Sequence, residues 1–257
     1  MSYSPSLAIA TAIFEIAAAG WTLRGSDRRP AIRTTSAIFI LLAAYQIIEV
    51  LVCARVPAAG FAPRLAFIVV TWLPPLGILL IAQLSSSFAK LNHASAYAML
   101  AAALGIAIWI GIDTRFVTDS VCTVVYAKYA NPLPRFLAYA WFYWLGLFGM
   151  IALSGLEIIR TRPARNPPLE ALLLGSLGFI VPAVICTHFV APAQGALPSI
   201  MCHFALILAV SLVFVVRAER RYTHASASRD DGRYGIPRLQ PVGMQIRRLF
   251  SDRSRGE

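Results

Sequence analysis

The sequence predicts an all-α, polytopic membrane protein with seven transmembrane helices, its N-terminus outside and its C-terminus in the cytoplasm. Three observations carry this. Of 257 residues, 58% are hydrophobic and 14% charged, with a mean hydropathy of +0.67, whereas soluble domains carry about 25% charged residues. Apolar runs near the ~20 residues that cross hydrocarbon as a helix recur along the chain. Basic residues gather in alternate connections. Because the runs are continuously apolar rather than alternating, helices are selected over a barrel.

The first run, Ser6–Leu23, follows no basic n-region and is interrupted by Glu15, so it reads as a retained span rather than a signal peptide. The others are Thr34–Ala54, Leu65–Leu84, Ser95–Ile112, Phe136–Leu156, Ala171–Val190 and Leu197–Val216. Arg24, Arg28, Arg29 and Arg33 crowd the first connection, Lys90 sits in the third, and Arg160, Arg162 and Arg165 fill the fifth. These connections are expected in the cytoplasm. Neither Lys90 nor Lys128 falls within a span, which removes the lysine a retinal protein needs.

Residues 1–217 are thus expected to form a seven-helix membrane domain and 218–257 a basic, disordered cytoplasmic tail. Ten arginines lie from Arg217 onward, and Met244, Ile246, Leu249 and Phe250 stand beside basic groups suited to the inner leaflet. The net charge is +11 and the pI about 10.1. Since this charge flanks apolar spans, the expected partners are the lipid bilayer and its anionic headgroups, not nucleic acid. The expected location is a bacterial inner membrane.

Pro74-Pro75 should break or kink the third helix and free carbonyls within the membrane. The segment "DTRFVTDSVCTVVYAKYANPLPRF", with Asp113, Arg115 and Asp119 at its start, is the longest outward connection. It is expected to lid a pocket and to supply a short hairpin or interfacial helix. The aromatic run Tyr139–Gly149 reads as an interfacial anchor. No Walker loop, G-x-S-x-G or H-E-x-x-H motif occurs.

Candidate chemistry centres on carboxylates, because Asp or Glu within a span costs about 2.5–3.5 kcal/mol and turns toward the bundle interior. Glu15 lies roughly 14 Å and Glu49 roughly 8 Å from the outer face at 1.5 Å per residue. Gln46, Glu49 and Cys53 share one face of the second helix. With His188 and His203 they suggest an outward-facing pocket of Glu15, Gln46, Glu49, His188 and His203 for a small ligand, ion or proton. A metal site would draw on His188, His203 and Glu49 and would suit zinc or copper. Cys186 and His188 cannot point the same way, so only one member of each Cys/His pair can contribute. All four cysteines are expected on the outer side, where disulfides form. Cys186 with Cys202 is one pairing, leaving Cys53 with Cys122; small buried packing groups are the other reading.

The stretches "MSYSPSLAIATAIFEIAAAGWTLRG", "AYQIIEVLVCAR" and "LPSIMCHFALILAV" together resemble a group of uncharacterised multi-pass bacterial membrane proteins whose chains begin Met-Cys-aromatic-Ser. Gln46, Glu49 and Cys202 fit that pattern, while Ser2 stands where the group has Cys. The resemblance implies the fold and assigns no activity. Three functional classes follow. The first is a non-enzymatic transporter, sensor or complex subunit using the Glu/His pocket. The second is an intramembrane metal-dependent hydrolase acting on a lipid, resembling seven-helix ceramidase-like enzymes, with His188 and His203 as ligands and Glu49 as base. The third is a structural or assembly protein with outward disulfides.

Overall fold

The computed structural model describes residues 5–24, 29–54, 61–87, 89–123, 127–161, 166–189 and 197–234, with the backbone alone at 187, 188, 202 and 222–234. In chain order these form α1 (Ser6–Leu23), α2 (Pro30–Cys53), α3 (Ala62–Thr71), α4 (Leu73–Leu84) and α5 (Ala89–Ile112). There follow β1 (Asp119–Cys122), β2 (Ala127–Ala130), α6 (Leu133–Arg160), α7 (Pro167–Phe189) and α8 (Leu197–Tyr234). Among the described residues, six stretches are long and apolar enough to cross a membrane: Ser6–Leu23, Pro30–Cys53, Ala62–Leu84, Ala89–Ile112, Leu133–Arg160 and Pro167–Cys186. The last expected run, Leu197–Val216, is helical as the opening part of α8.

The chain divides into two units, Met1–Ala218 and Glu219–Glu257. In the second unit the described residues, 219–234, are helical. No proline falls between Pro198 and Pro237, and alanine, arginine and glutamate favour helix there. Met244, Ile246, Leu249 and Phe250 lie outside the described residues.

Proline marks where these helices begin. It occupies the first turn of α2, α3, α4 and α6 and opens α7 at Pro167 and α8 at Pro198. A first-turn residue has no intrahelical acceptor for its N–H, so the missing donor costs nothing and the fixed φ suits the helix. The same rule explains the third span. It breaks at Trp72, whose N–H turns back to the Val69 carbonyl at 3.3 Å, and Pro74 and Pro75 start α4 instead of kinking a continuous helix.

Packing follows chain order for the first pair, α1 on α2, while α4 contacts α2, α5 and α6, and α6 contacts α7. Two glycines let α4 and α6 approach closely. A Cβ built at Gly146 would stand 2.5 Å from the Pro74 Cβ, and one at Gly77 would collide with the Met150 side chain. Gly175 and Gly178 of α7 stand in the same relation to Ser211 and Ile207 of α8. Within a bilayer, where apolar burial gives helices little reason to associate, such close backbone approach supplies the dispersion contacts.

The two ends of the bundle differ in construction. At one end β1 and β2 form an antiparallel hairpin, pairing Asp119 with Ala130 and Cys122 with Ala127. It rests on an aromatic cluster in which the Phe67 ring meets Phe116, Tyr129 and Tyr139 edge-on, each at 5.3 Å between centroids. Such T-shaped pairs add about 0.5–1.5 kcal/mol each beyond their burial. Arg135 pairs with Asp113 at 3.1 Å across the loop. At the opposite end, buried Glu157 accepts the Ser86 N–H at 2.9 Å and the Ser87 N–H at 2.8 Å through Oε1. Asn166 donates to the Leu84 carbonyl at 3.2 Å, joining the start of α7 to the end of α4.

Gly146→Leu should therefore overpack the α4/α6 contact and cost about 1–3 kcal/mol. Gly20→Ala, where an added Cβ meets nothing within 4 Å, should be neutral or gain up to about 1 kcal/mol from helix propensity. Thermal unfolding of both variants in one detergent checks the contrast.

Candidate functional site

Glu49 lies on α2 one turn before Cys53 and is fully buried. Its Oε1 accepts the Ser199 hydroxyl at 2.6 Å, reaching from the first turn of α8. The same Ser199 oxygen accepts the Ala127 backbone N–H at 3.1 Å, so β2 of the hairpin is hydrogen-bonded to the start of α8 directly above the carboxyl group. The Tyr45 side chain, one turn back on α2, lies beside this carboxyl, and the His203 ring lies within charge–charge range of it. Glu49 Oε2 has no hydrogen bond among the described residues.

The arrangement fixes the chemistry of His203. Its Nδ1 stands 2.8 Å from the Ser199 carbonyl, one turn earlier on α8. A carbonyl only accepts, so Nδ1 carries a proton and donates it to this carbonyl. Ser199 thus serves both groups, its hydroxyl holding Glu49 and its carbonyl orienting His203. A half-buried imidazole thus lies near a fully buried carboxyl group.

The hairpin that covers this site is also tied to it covalently. Cys53 and Cys122 form a disulfide, with Cα atoms 5.6 Å apart and a separation of 69 positions in sequence. Cys53 is one helical turn from Glu49, and Cys122 is the cross-strand partner of Ala127. Two connections therefore join α2 to the hairpin at adjacent positions, one through sulfur and one through Ser199. Cys186 is a free thiol that packs, partly buried, against the hydrophobic core. The side chain of Cys202, its expected partner, lies outside the described residues.

The remaining candidates fall differently. Glu15 on α1 is fully buried, and neither of its carboxyl oxygens has a hydrogen bond among the described residues. Gln46 is buried on the Glu49 helix and is hydrogen-bonded or otherwise engaged. The side chains of His188 and Cys202 lie outside the described residues. Among the described residues, no three His, Cys, Asp or Glu side chains converge on a common point that would hold a metal ion.

Sequence reasoning passed over Ser199 and Tyr45. Each stands one helical turn before a residue it did single out, Ser199 before His203 and Tyr45 before Glu49, and that i, i+4 spacing was the available signal. Glu157 was missed because it reads as the polar end of a span, yet it is as buried as Glu49. Comparison of the chain with protein-family models, with curated proteins and with solved structures finds no match.

Ser199→Ala should strand both Glu49 Oε1 and the Ala127 N–H and cost about 1–3 kcal/mol for each group left unpaired. Cys53→Ser should cost about 2–4 kcal/mol. Because the two links share the hairpin, the double variant should lose less than the sum. Strict additivity in denaturant melts would show that the links are independent.

Proposed function

We propose that this is a seven-span protein of a bacterial inner membrane, N-terminus outside and C-terminus inside, acting without catalysis as a transporter, sensor or complex subunit. Its working element is the Glu49–Ser199–His203 group, which takes up a proton or a small cationic ligand on the outward side. In this reading Gln46 and Glu15, both buried, belong to the same polar path; the His188 side chain lies outside the described residues. The observation that carries this reading is the fully buried Glu49, its Oε1 held by the Ser199 hydroxyl, beside Tyr45 and an imidazole. A carboxyl placed so deeply is expensive in a membrane and marks a proton or ion path more often than a purely structural contact.

The hairpin covers the group and the disulfide keeps it there. Access then depends on small displacements of the hairpin over Ser199. The arginine-rich tail faces anionic headgroups of the cytoplasmic leaflet in this reading, in keeping with the basic residues gathered in the first, third and fifth connections. The likeness to multi-pass proteins beginning Met-Cys-aromatic-Ser rests on its residue pattern.

Infrared difference spectra of the lipid-reconstituted protein, recorded as pH is stepped, should contain a carboxyl band that Glu49→Gln removes and a second that Glu15→Gln removes. Spectra unchanged by Glu49→Gln would sink the reading. One zinc per chain that disappears with His203→Ala would replace it with the metal-dependent hydrolase. For orientation, a fluorescent protein fused after Glu257 should light up and alkaline phosphatase inserted near Arg115 should be active. The reverse pattern would invert the topology.

A further inference from the structure

A groove of about 520 Å³ runs between α6 and α7 on the outside of the helix bundle. Its walls are apolar throughout: Trp141, Leu145 and Phe148 stand along α6, and Val184 faces them from α7. Trp141 is 71% exposed and Leu145 67% exposed, on a helix long and apolar enough to span the membrane. A flat helical surface would meet lipid chains as a moving solvent. This one is concave, and its volume falls within the roughly 300–1,000 Å³ typical of ligand pockets.

What sets the groove apart from ordinary lipid-facing surface is its connection inward. Ala140 and Trp144 line it and also line a separate cavity in the middle of the bundle. That cavity, about 20 Å³, has room for roughly one water molecule. It is bordered by Val70 and Leu73, which flank the break at Trp72, and by Leu42, seven residues from Glu49 along α2. Seven residues are two turns, about 10 Å, on the same face of the helix. The Trp144 ring, stacked on Phe148 at 5.4 Å, therefore forms the partition between the bilayer side and the interior.

The groove occupies the half of α6 nearer the hairpin: its lining begins at Leu137, two residues before Tyr139, whose buried ring packs on Phe116. We propose that it is a binding site for one acyl chain of a phospholipid from the leaflet on the hairpin side, with Trp144 as the wall between the bound chain and the interior cavity. The occupant follows from position and chemistry: the site opens to hydrocarbon, offers no charged side chain, and is bounded by large rigid aromatic faces suited to methylene groups. This inference stands apart from the proton reading of Glu49 and fails or holds without it.

The test is native mass spectrometry of the full-length protein extracted into mild detergent with phosphatidylglycerol and phosphatidylethanolamine of defined chain length. The wild type should retain one phospholipid per chain, and Leu104→Trp, an exposed position on α5, should retain it equally. Ala140→Trp and Val184→Trp, which fill the groove, should reduce retention at least tenfold. Equal retention by all four proteins would overturn the proposal, as would a lipid-free dimer that the groove variants dissociate, which would make a second copy the occupant. Should the groove variants not fold, wild-type tryptophan quenching by chain-brominated phospholipid in micelles decides. Saturation near one lipid per chain, lost in the Trp141→Phe/Trp144→Phe variant, supports the site; quenching that rises without saturating overturns it.

Discussion

A helix in hydrocarbon satisfies its own backbone, but it has no donor to spare for a side-chain carboxyl. Among the described residues three such groups are buried, Glu15, Glu49 and Glu157, and two of them organise the ends of the bundle. Glu157 gathers the Ser86 and Ser87 N–H groups and so fixes the turn between α4 and α5 against the end of α6. Glu49 gathers the Ser199 hydroxyl, and through it the hairpin and the start of α8. In each case a carboxyl on one helix finds donors on segments distant in sequence, so the cost of burying it is offset by long-range contacts. Glu15 has no such donor among the described residues.

Between these ends the helices are held by shape. Glycine at 77 and 146 opposite Met150 and Pro74 brings α4 and α6 together, and the prolines at the helix starts determine where each span begins. The break at Trp72 belongs to the same logic. It shortens α3, allows α4 to restart on Pro74-Pro75, and leaves Val70 and Leu73 bordering the one-water cavity. The interior space and the close helix contacts thus come from neighbouring parts of one sequence feature.

The helices were legible from the sequence because span length is set by the bilayer and read directly from apolar runs. Seven such runs coincide with helices here, and six meet the length and composition for crossing. The hairpin was legible only as one of two alternatives, since Val, Thr and Tyr at 117–129 favour strand without specifying a partner. Glu49 stood out because a lone carboxylate in an apolar run is costly wherever it points. Ser199 did not, because a serine in a span is inexpensive and its role depends on which helix lies opposite, a three-dimensional fact with no local trace. The continuation of α8 to Tyr234 was obscured by charge: basic composition argues for solvation and says nothing against a helix.

The Cys53–Cys122 bond carries one more implication, for how the chain is made. It closes a stretch holding α3, α4 and α5, so it can form only after the hairpin has emerged on the same side as the end of α2. Disulfides persist on the oxidising face of a bacterial membrane and not in the cytosol. A molecule threaded the wrong way round would present both thiols to a reducing compartment and remain open. In the orientation proposed above, the covalent state of this pair would therefore record the direction of insertion.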